Sequence, residues 1–414
     1  MKVIEKKQLL PFVLVTSLFA LWGLANNMTD TLLSAFKRIM QMSDTQTSFI
    51  QMAFYGAYFC VALPAALYIR KHSYKSGVIL GLVLYACGAI LFLPAASLES
   101  YVFYLIAIYI MASGCSILET TANPYIMSMG SPETATRRLN IAQSFNPIGS
   151  ILGILVSKYF ILQDISLYSV SGTYFVLGLV LLVIMGIMLF IRMPEGSDAG
   201  NHDTLKATFG RLARNKVYVW GVVAQFFYVG AQIGAWSFTI RLVMKELGHV
   251  ESQAATIYLA SIVGFCSSRF VYTWLMKYIS PQRLLAIGSM FSSLCALLVI
   301  LGSGKVAVLS LVLVSVFMSL MFPTIYGIAL GSLTTNGSPT GKETSLGDVK
   351  IGASGLIMAI LGGALLTPLQ GMVSDAGGVN LSYIVPLGCF LVVLFYSIYV
   401  ISNEKILSDT HTCQ

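Results

Sequence analysis

The sequence predicts an all-α membrane protein whose twelve transmembrane helices form two six-helix halves, and three observations carry that prediction. Of its 414 residues, 57% are hydrophobic and only 10% are charged, with a mean hydropathy of +0.80, against roughly 25% charged residues in an average soluble domain. Apolar runs of helix length alternate with polar breaks, giving twelve spans. The basic residues are asymmetric: 18 Lys and Arg fall on the side of the amino terminus and 6 on the other. By the positive-inside tendency this places both termini and the central loop in the cytoplasm, as expected for a multi-pass protein of the cell inner membrane. The net charge of +8 does not point to nucleic acid, because the basic residues form short clusters between apolar runs rather than a stripe with interleaved aromatics.

The first span, residues 10–37, holds the most informative stretch. Leu9 to Phe36 is 28 residues, which as a helix reaches about 42 Å, beyond a hydrocarbon core of about 30 Å. Asp30 is therefore expected inside the membrane region, where a carboxylate costs about 2.5–3.5 kcal/mol on insertion scales and is tolerated facing a bundle interior or a watery cavity. Trp22, Asn26 and Asp30 recur every fourth residue, so a ring, an amide and a carboxylate share one helix face, and Asn27 lies in the same polar cluster. Lys2, Lys6 and Lys7 before the apolar run imitate a signal peptide, but the run is long and lacks a small-residue cleavage site.

Spans two to six are read at 45–69, 76–95, 101–128, 138–162 and 169–191. A polar stretch, 193–215, then separates an amino-terminal half, 1–192, from a carboxy-terminal half, 216–414. Spans seven to twelve are read at 217–244, 252–276, 283–302, 306–332, 351–374 and 380–402. A weak internal repeat supports the division. LYIRKHSYKSGVILG (67–81) matches WLMKYISPQRLLAIG (274–288), and Asn123-Pro124 on the fourth span has a counterpart in Phe322-Pro323 on the tenth. Pro64, Pro124, Pro147, Pro323, Pro368 and Pro386 mark expected kinks. Three Gly-x-x-x-Gly pairs, starting at Gly77, Gly149 and Gly230, are expected to permit close helix packing.

Of the 17 acidic residues, only Asp30 and Glu119 lie well inside spans, and all four histidines lie outside them. A proton carrier in this chain would therefore be a carboxyl group, whose charged form burial disfavours; a structural carboxylate held by neighbouring helices is the alternative. Glu119 and Asn123 repeat the amide and carboxylate spacing of Asn26 and Asp30. Gln143 and Asn146 share a face of the fifth span, and Gln225, Tyr228, Gln232 and Trp236 form one stripe on the seventh. Amides both donate and accept, and rings offer flat apolar faces. Together they suit a polyhydroxylated ring with apolar C–H faces, that is, a sugar, although each amide taken singly could equally bind helix to helix. Arg269 stands alone within the eighth span, read as paired or near an end, with a gating or substrate contact as the other possibility.

No metal site, disulfide framework or cofactor is expected: six of the seven cysteines sit in apolar segments and no Cys-x-x-Cys occurs. NGSPTGKET (336–344) fails as a phosphate loop, because only three residues separate Gly337 from Gly341 and Glu343 stands where Ser or Thr is required. Uphill transport would then draw on an ion gradient, not on ATP. No nucleophile–base pair lies at membrane depth, so the chain does not read as an enzyme.

With those residues in view, the chain resembles the fucose:proton symporter family of the major facilitator superfamily over nearly its whole length. The resemblance is carried by FALWGLANNMTDTLL (19–33), SFIQMAFYGAYF (48–59), SYKSG (73–77), ILETTANPYI (117–126), RRLNIAQSFNPIGS (137–150), AQFFYVGAQIGAWSFTIR (224–241), FPTIYG (322–327) and TPLQGMVSDAGG (367–378). It implies L-fucose uptake with a proton by alternating access, through an amphipathic cavity between the halves of a monomer in the lipid bilayer. Carried over by position, Asp30 and Glu119 are the two essential carboxylates, and Trp22, Asn26, Gln143, Asn146 and Trp236 line the cavity. The chain departs from the family pattern in a short loop between spans five and six, in a longer loop at 334–350, and in SYKSG, which lacks the acidic residue common to that loop in the superfamily. Glucose or galactose carriage, with sodium as well as proton coupling open to it, is the runner-up within transporters, and a non-transporting sugar sensor is the alternative outside them.

Overall fold

The computed structural model describes residues 8–39, 44–161, 166–191, 204–333 and 346–412, with the single positions 4 and 41; several side chains within helices, those of Asn26 and Asp30 among them, lie outside this description. The first half contributes α1 (Leu9–Ile39), α2 (Asp44–Lys71), α3 (Tyr74–Ile90), α4 (Phe92–Ser97), α5 (Tyr101–Ser128), α6 (Ala135–Gln143), α7 (Asn146–Val156) and α8 (Leu167–Phe190). After α9 (Leu205–Arg214) come α10 (Lys216–Ser237), α11 (Thr239–Leu247), α12 (Glu251–Leu275), α13 (Pro281–Leu301), α14 (Gly304–Met318), α15 (Met321–Gly331), α16 (Leu346–Met358), α17 (Gly362–Gly377) and α18 (Ile384–Thr412). Among the described residues, eleven helices are long and apolar enough to cross a bilayer, and Leu9–Ala25 of α1 adds a shorter apolar one.

Helix starts follow local chemistry. Ser73 and Ser76 close a reciprocal capping box at α3, Ser100 caps α5, Ser166 caps α8, and the Asn215 side chain accepts from the Tyr218 amide at the start of α10. Each cap satisfies a backbone N–H that the helix itself leaves unpaired.

Five spans expected to be continuous are broken: the third between α3 and α4, the fifth between α6 and α7, the seventh between α10 and α11, the tenth between α14 and α15, and the eleventh at a 3-10 turn, Ala359–Leu361. Proline explains only part of this. Pro147 and Pro323 lie in the first turns of α7 and α15, just past their breaks, whereas Pro64, Pro124 and Pro368 lie inside uninterrupted α2, α5 and α17. The polar stretch between the halves is also not wholly irregular, since its described end forms α9. The expected loop differences at 163–167 and 334–350 fall largely outside the described residues, as does NGSPTGKET.

By packing, the chain forms two units. The first comprises residues 1–132, 145–208 and 345–358; the second comprises 133–144, 209–344 and 359–414. In the first, α5 packs on α2 and α3, α1 on α7, and α16 on α2 and α5. In the second, α10 packs on α15, α17 and α18, α13 on α14 and α18, and α6 on α15 and α12. The leading segments of spans five and eleven, α6 and α16, thus each belong to a unit built mainly from the other half of the sequence.

Glycine sets the closest helix approaches in both units. A Cβ on Gly149 would lie 1.7 Å from the Ala20 carbonyl oxygen, and one on Gly23 would lie 2.0 Å from that of Asn146, so α1 and α7 meet backbone to backbone. In the second unit a Cβ on Gly362 would lie 1.9 Å from the Phe226 oxygen, and α10 meets α17 in the same manner. The seventh and eleventh spans therefore reproduce the packing of the first and fifth, as the internal repeat predicts. Gly77 and Gly81 likewise sit against Thr121 and Leu118, and Gly230 and Gly234 against Leu366 and Gln370, a packing role for all three glycine pairs.

Candidate functional site

In the first unit the acid of the fourth span is enclosed. Glu119 is 4% exposed, and its Oε2 has no hydrogen-bond partner among the described residues. Asn123, one turn later on α5, is buried on the same face. The Cys115 thiol, one turn earlier, and the Tyr58 hydroxyl of α2 lie within electrostatic reach of Glu119. That hydroxyl accepts from the Trp22 indole Nε1 of α1 at 2.6 Å. Trp22 stacks on Phe19 with ring centroids 5.7 Å apart, and the Phe19 carbonyl accepts from Asn146 Nδ2 of α7 at 3.3 Å. Trp22 and Asn146, predicted from different spans, are thus tied through Phe19. Asn27 turns back along its own helix, donating to the Gly23 carbonyl at 3.2 Å. The helix α1 carries the backbone of Asn26 and Asp30, whose side chains fall outside the described residues.

The second unit presents a different chemistry. Arg269 of α12 is 3% exposed. Its Nε donates to the Ser319 carbonyl at 2.7 Å and its Nη1 to the Gln143 carbonyl at 2.9 Å, while Phe265 lies 4.6 Å beneath the guanidinium. Both carbonyls belong to broken spans, Ser319 between α14 and α15 and Gln143 at the end of α6, where backbone acceptors lose their helical partners. Of the stripe predicted on α10, Tyr228 is buried and donates to the Met318 carbonyl at 3.2 Å. Gln225 is buried with neither amide atom hydrogen-bonded among the described residues. Gln232 and Trp236 are half-buried. The Trp236 indole donates to Ser315 Oγ at 3.2 Å and meets Phe265 edge-on at 5.0 Å. Each unit therefore pairs a tryptophan with a hydroxyl, and among the described residues only the first adds a buried carboxyl group with an unpaired oxygen.

The model of the Major Facilitator Superfamily matches residues 14–343. The chain belongs to that superfamily. Within it, the chain is 42% identical to an L-fucose-proton symporter of Haemophilus influenzae, with 95% of this chain and 97% of the relative aligned. It is 32% identical to a glucose/galactose transporter of Brucella abortus over 93% of this chain and 92% of that one. A crystal structure of FucP in the outward conformation superposes with a TM-score of 0.84 at 33% identity, covering 94% of this chain and 98% of the other. This superfamily member is thus a multi-pass membrane transporter, as the apolar helices had indicated.

Two partners of the predicted residues were not legible in the sequence. Tyr58 lay within FYGAYF, a run with four aromatic rings at 54, 55, 58 and 59, and nothing in its spacing distinguished the one ring that meets Trp22. Cys115 read as a small apolar residue, and its i, i+4 spacing to Glu119 was the available signal. Arg269 was flagged by position alone, and its partners proved to be backbone carbonyls, which no residue pattern reveals. Three further charged side chains expected in loops or at span ends, Arg138, Asp348 and Lys350, are buried. The Lys350 ammonium lies 5.0 Å over the ring of Tyr74, the tyrosine of SYKSG. In this loop the chain thus sets an aromatic face against a cation.

Proposed function

We propose that this chain imports L-fucose together with a proton by alternating access, with Glu119 and Asp30 as the coupling carboxyl groups. The observation that carries the reading is Glu119: a buried acid with an unpaired oxygen on a helix long and apolar enough to span a membrane, beside an indole–phenol pair, in a chain 42% identical to an L-fucose-proton symporter. An unpaired carboxyl in that setting is disfavoured as an anion, so taking up a proton relieves it and losing one requires water. Trp22, Asn26, Asn27, Asn123, Gln143, Asn146, Gln225, Tyr228, Gln232 and Trp236 supply the amides and rings that would hold the sugar. The halves 1–192 and 216–414 are the moving bodies, joined by 193–215, in a monomer of the bacterial inner membrane with both termini in the cytoplasm.

If sugar binds the protonated form more tightly, reciprocal linkage requires that sugar also favours proton uptake, and external acidification then strengthens sugar binding. The test is radiolabelled L-fucose uptake into proteoliposomes with an imposed pH gradient, with D-glucose and D-galactose as competitors and a protonophore as control. Accumulation that collapses with the protonophore and is displaced best by unlabelled L-fucose supports the reading; uptake indifferent to the gradient ends it. The Brucella abortus relative favours a second reading, glucose or galactose carriage, and the same panel run with and without sodium separates the two.

A further inference from the structure

The Tyr58 hydroxyl stands where three helices of the first unit meet. Its oxygen is occupied on one side by the Trp22 N–H of α1 at 2.6 Å. A phenol that accepts one hydrogen bond keeps its own proton to donate. Two polar groups of α5 also lie close to it, the Cys115 thiol as a hydrogen-bonding neighbour and, one turn later on that helix, the Glu119 carboxyl within electrostatic reach. The ring is not free to look elsewhere. It is 1% exposed, Phe54 packs on it with centroids 5.4 Å apart, and its own carbonyl accepts from Ser116 Oγ of α5.

We propose that Tyr58 is a positioning residue that couples the Trp22 indole to the protonation of Glu119. The proposal rests on the reading of Glu119 as a coupling carboxyl. When Glu119 is ionised, it draws the Tyr58 O–H toward α5; the polarised phenol oxygen becomes a stronger acceptor, and the Trp22 N–H is held more firmly against α2, because chained hydrogen bonds reinforce one another. When Glu119 takes a proton, that pull ceases and the indole is released to lie against the apolar face of a sugar ring. Protonation thus readies the aromatic face for substrate, and a bound sugar, by holding the indole, favours the protonated acid. No covalent step is involved.

The titratable neighbours on every element packed around this point are few among the described residues. On α5 they are Cys115 and Glu119. On α3 Tyr85 adds a phenol whose hydroxyl donates to the Leu21 carbonyl of α1. On α16, Lys350 lies over Tyr74, which packs on Tyr125, six residues or roughly 9 Å beyond Glu119 along α5, and Asp348 stands two residues before Lys350. The side chain of Asp30 on α1 is outside the described residues. Among the described residues, a change in pH dependence on altering Tyr58 therefore has Glu119 as its main source.

The experiment uses full-length protein in proteoliposomes and whichever of L-fucose, D-glucose or D-galactose the wild type accumulates. For wild type, Tyr58→Phe, Trp22→Phe, the double variant and Glu119→Gln, three quantities are measured: exchange at equal pH, accumulation on an inward proton gradient, and apparent affinity across external pH 5 to 8. Tyr58→Phe keeps the ring and removes the hydroxyl. It is expected to lower accumulation several-fold more than exchange and to displace the pH at which affinity falls to half by at least half a unit. Trp22→Phe, which removes the N–H from the other side, is expected to move that pH in the same direction, and the double variant to move it no further. A Tyr58→Phe pH profile that superposes on wild type overturns the proposal, whether transport is intact or uniformly reduced; if that variant does not fold, an unshifted profile in Trp22→Phe overturns it equally. Glu119→Gln distinguishes the two levels. Wild-type accumulation by Glu119→Gln removes the underlying reading, whereas lost accumulation there beside wild-type behaviour in Tyr58→Phe removes only the role of Tyr58.

Discussion

The two packing units bury charges of opposite sign on opposite terms. Arg269 in the second unit has two backbone carbonyls and an aromatic face within reach, whereas Glu119 in the first has an oxygen with no partner at all among the described residues. A buried charge whose hydrogen bonds are met is part of the architecture: it satisfies acceptors that two broken helices would otherwise leave unpaired. A buried acid left unmet is costly as an anion and inexpensive as a neutral group, so it is poised to exchange a proton. The contrast supports a structural part for Arg269, read from the sequence as paired or near an end, and the proposed chemistry for Glu119.

What the units share can be broken first, with the largest effect. Gly149→Leu and Gly362→Leu place side chains where a Cβ would already lie 1.7 Å and 1.9 Å from a backbone oxygen. Neither variant is expected to yield monodisperse protein by size-exclusion chromatography. If only one of the two fails, the units do not share this packing device as closely as proposed.

Arg269→Met comes next. It leaves the Gln143 and Ser319 carbonyls without a donor, at about 1–3 kcal/mol each, and is expected to lower the thermal unfolding midpoint and to reduce transport in parallel, with partial recovery in Arg269→Lys. An unchanged midpoint would mean that the guanidinium is not architectural.

Glu119→Gln sharpens the comparison from the other side. It is expected to abolish gradient-driven accumulation, at least tenfold, while leaving the unfolding midpoint unchanged or raised, because a buried ionisable group is exchanged for a neutral amide. A large loss of stability there would make Glu119 as structural as Arg269. The smallest expected effect is that of Trp236→Phe. Losing its bond to Ser315 removes about 1 kcal/mol, seen as a rise of up to fivefold in apparent KM for the sugar at any pH, whereas Trp22→Phe alters the pH dependence itself. Identical pH profiles for the two tryptophan variants would erase the distinction between the units.

Much of this protein is legible in its amino-acid sequence. Composition and twelve apolar runs specify an all-helical membrane protein, the Gly-x-x-x-Gly pairs mark close helix contacts, and Glu119 stands out because an acid has no ordinary place inside a span. The stripe on α10 is correct as a helical periodicity, yet its members meet different fates: Tyr228 bonds a carbonyl, Gln225 is enclosed, and Gln232 and Trp236 are half-buried. Periodicity specifies which residues share a face, not what that face meets.

By itself the sequence determined which segments are apolar enough to span a membrane and which polar groups each carries, because those properties arise from the transfer of short segments out of water. The tertiary structure alone decided that spans five and eleven break and that α6 and α16 each pack within the other half's unit. It alone decided that Arg269 reaches two carbonyls and that Tyr58 joins Trp22. The physical reason is that almost every position in a membrane span is apolar, whether it faces lipid or protein. Hydropathy therefore carries no information about which side is inward, and contacts between helices depend on packing shape and on backbone groups that all sequences share.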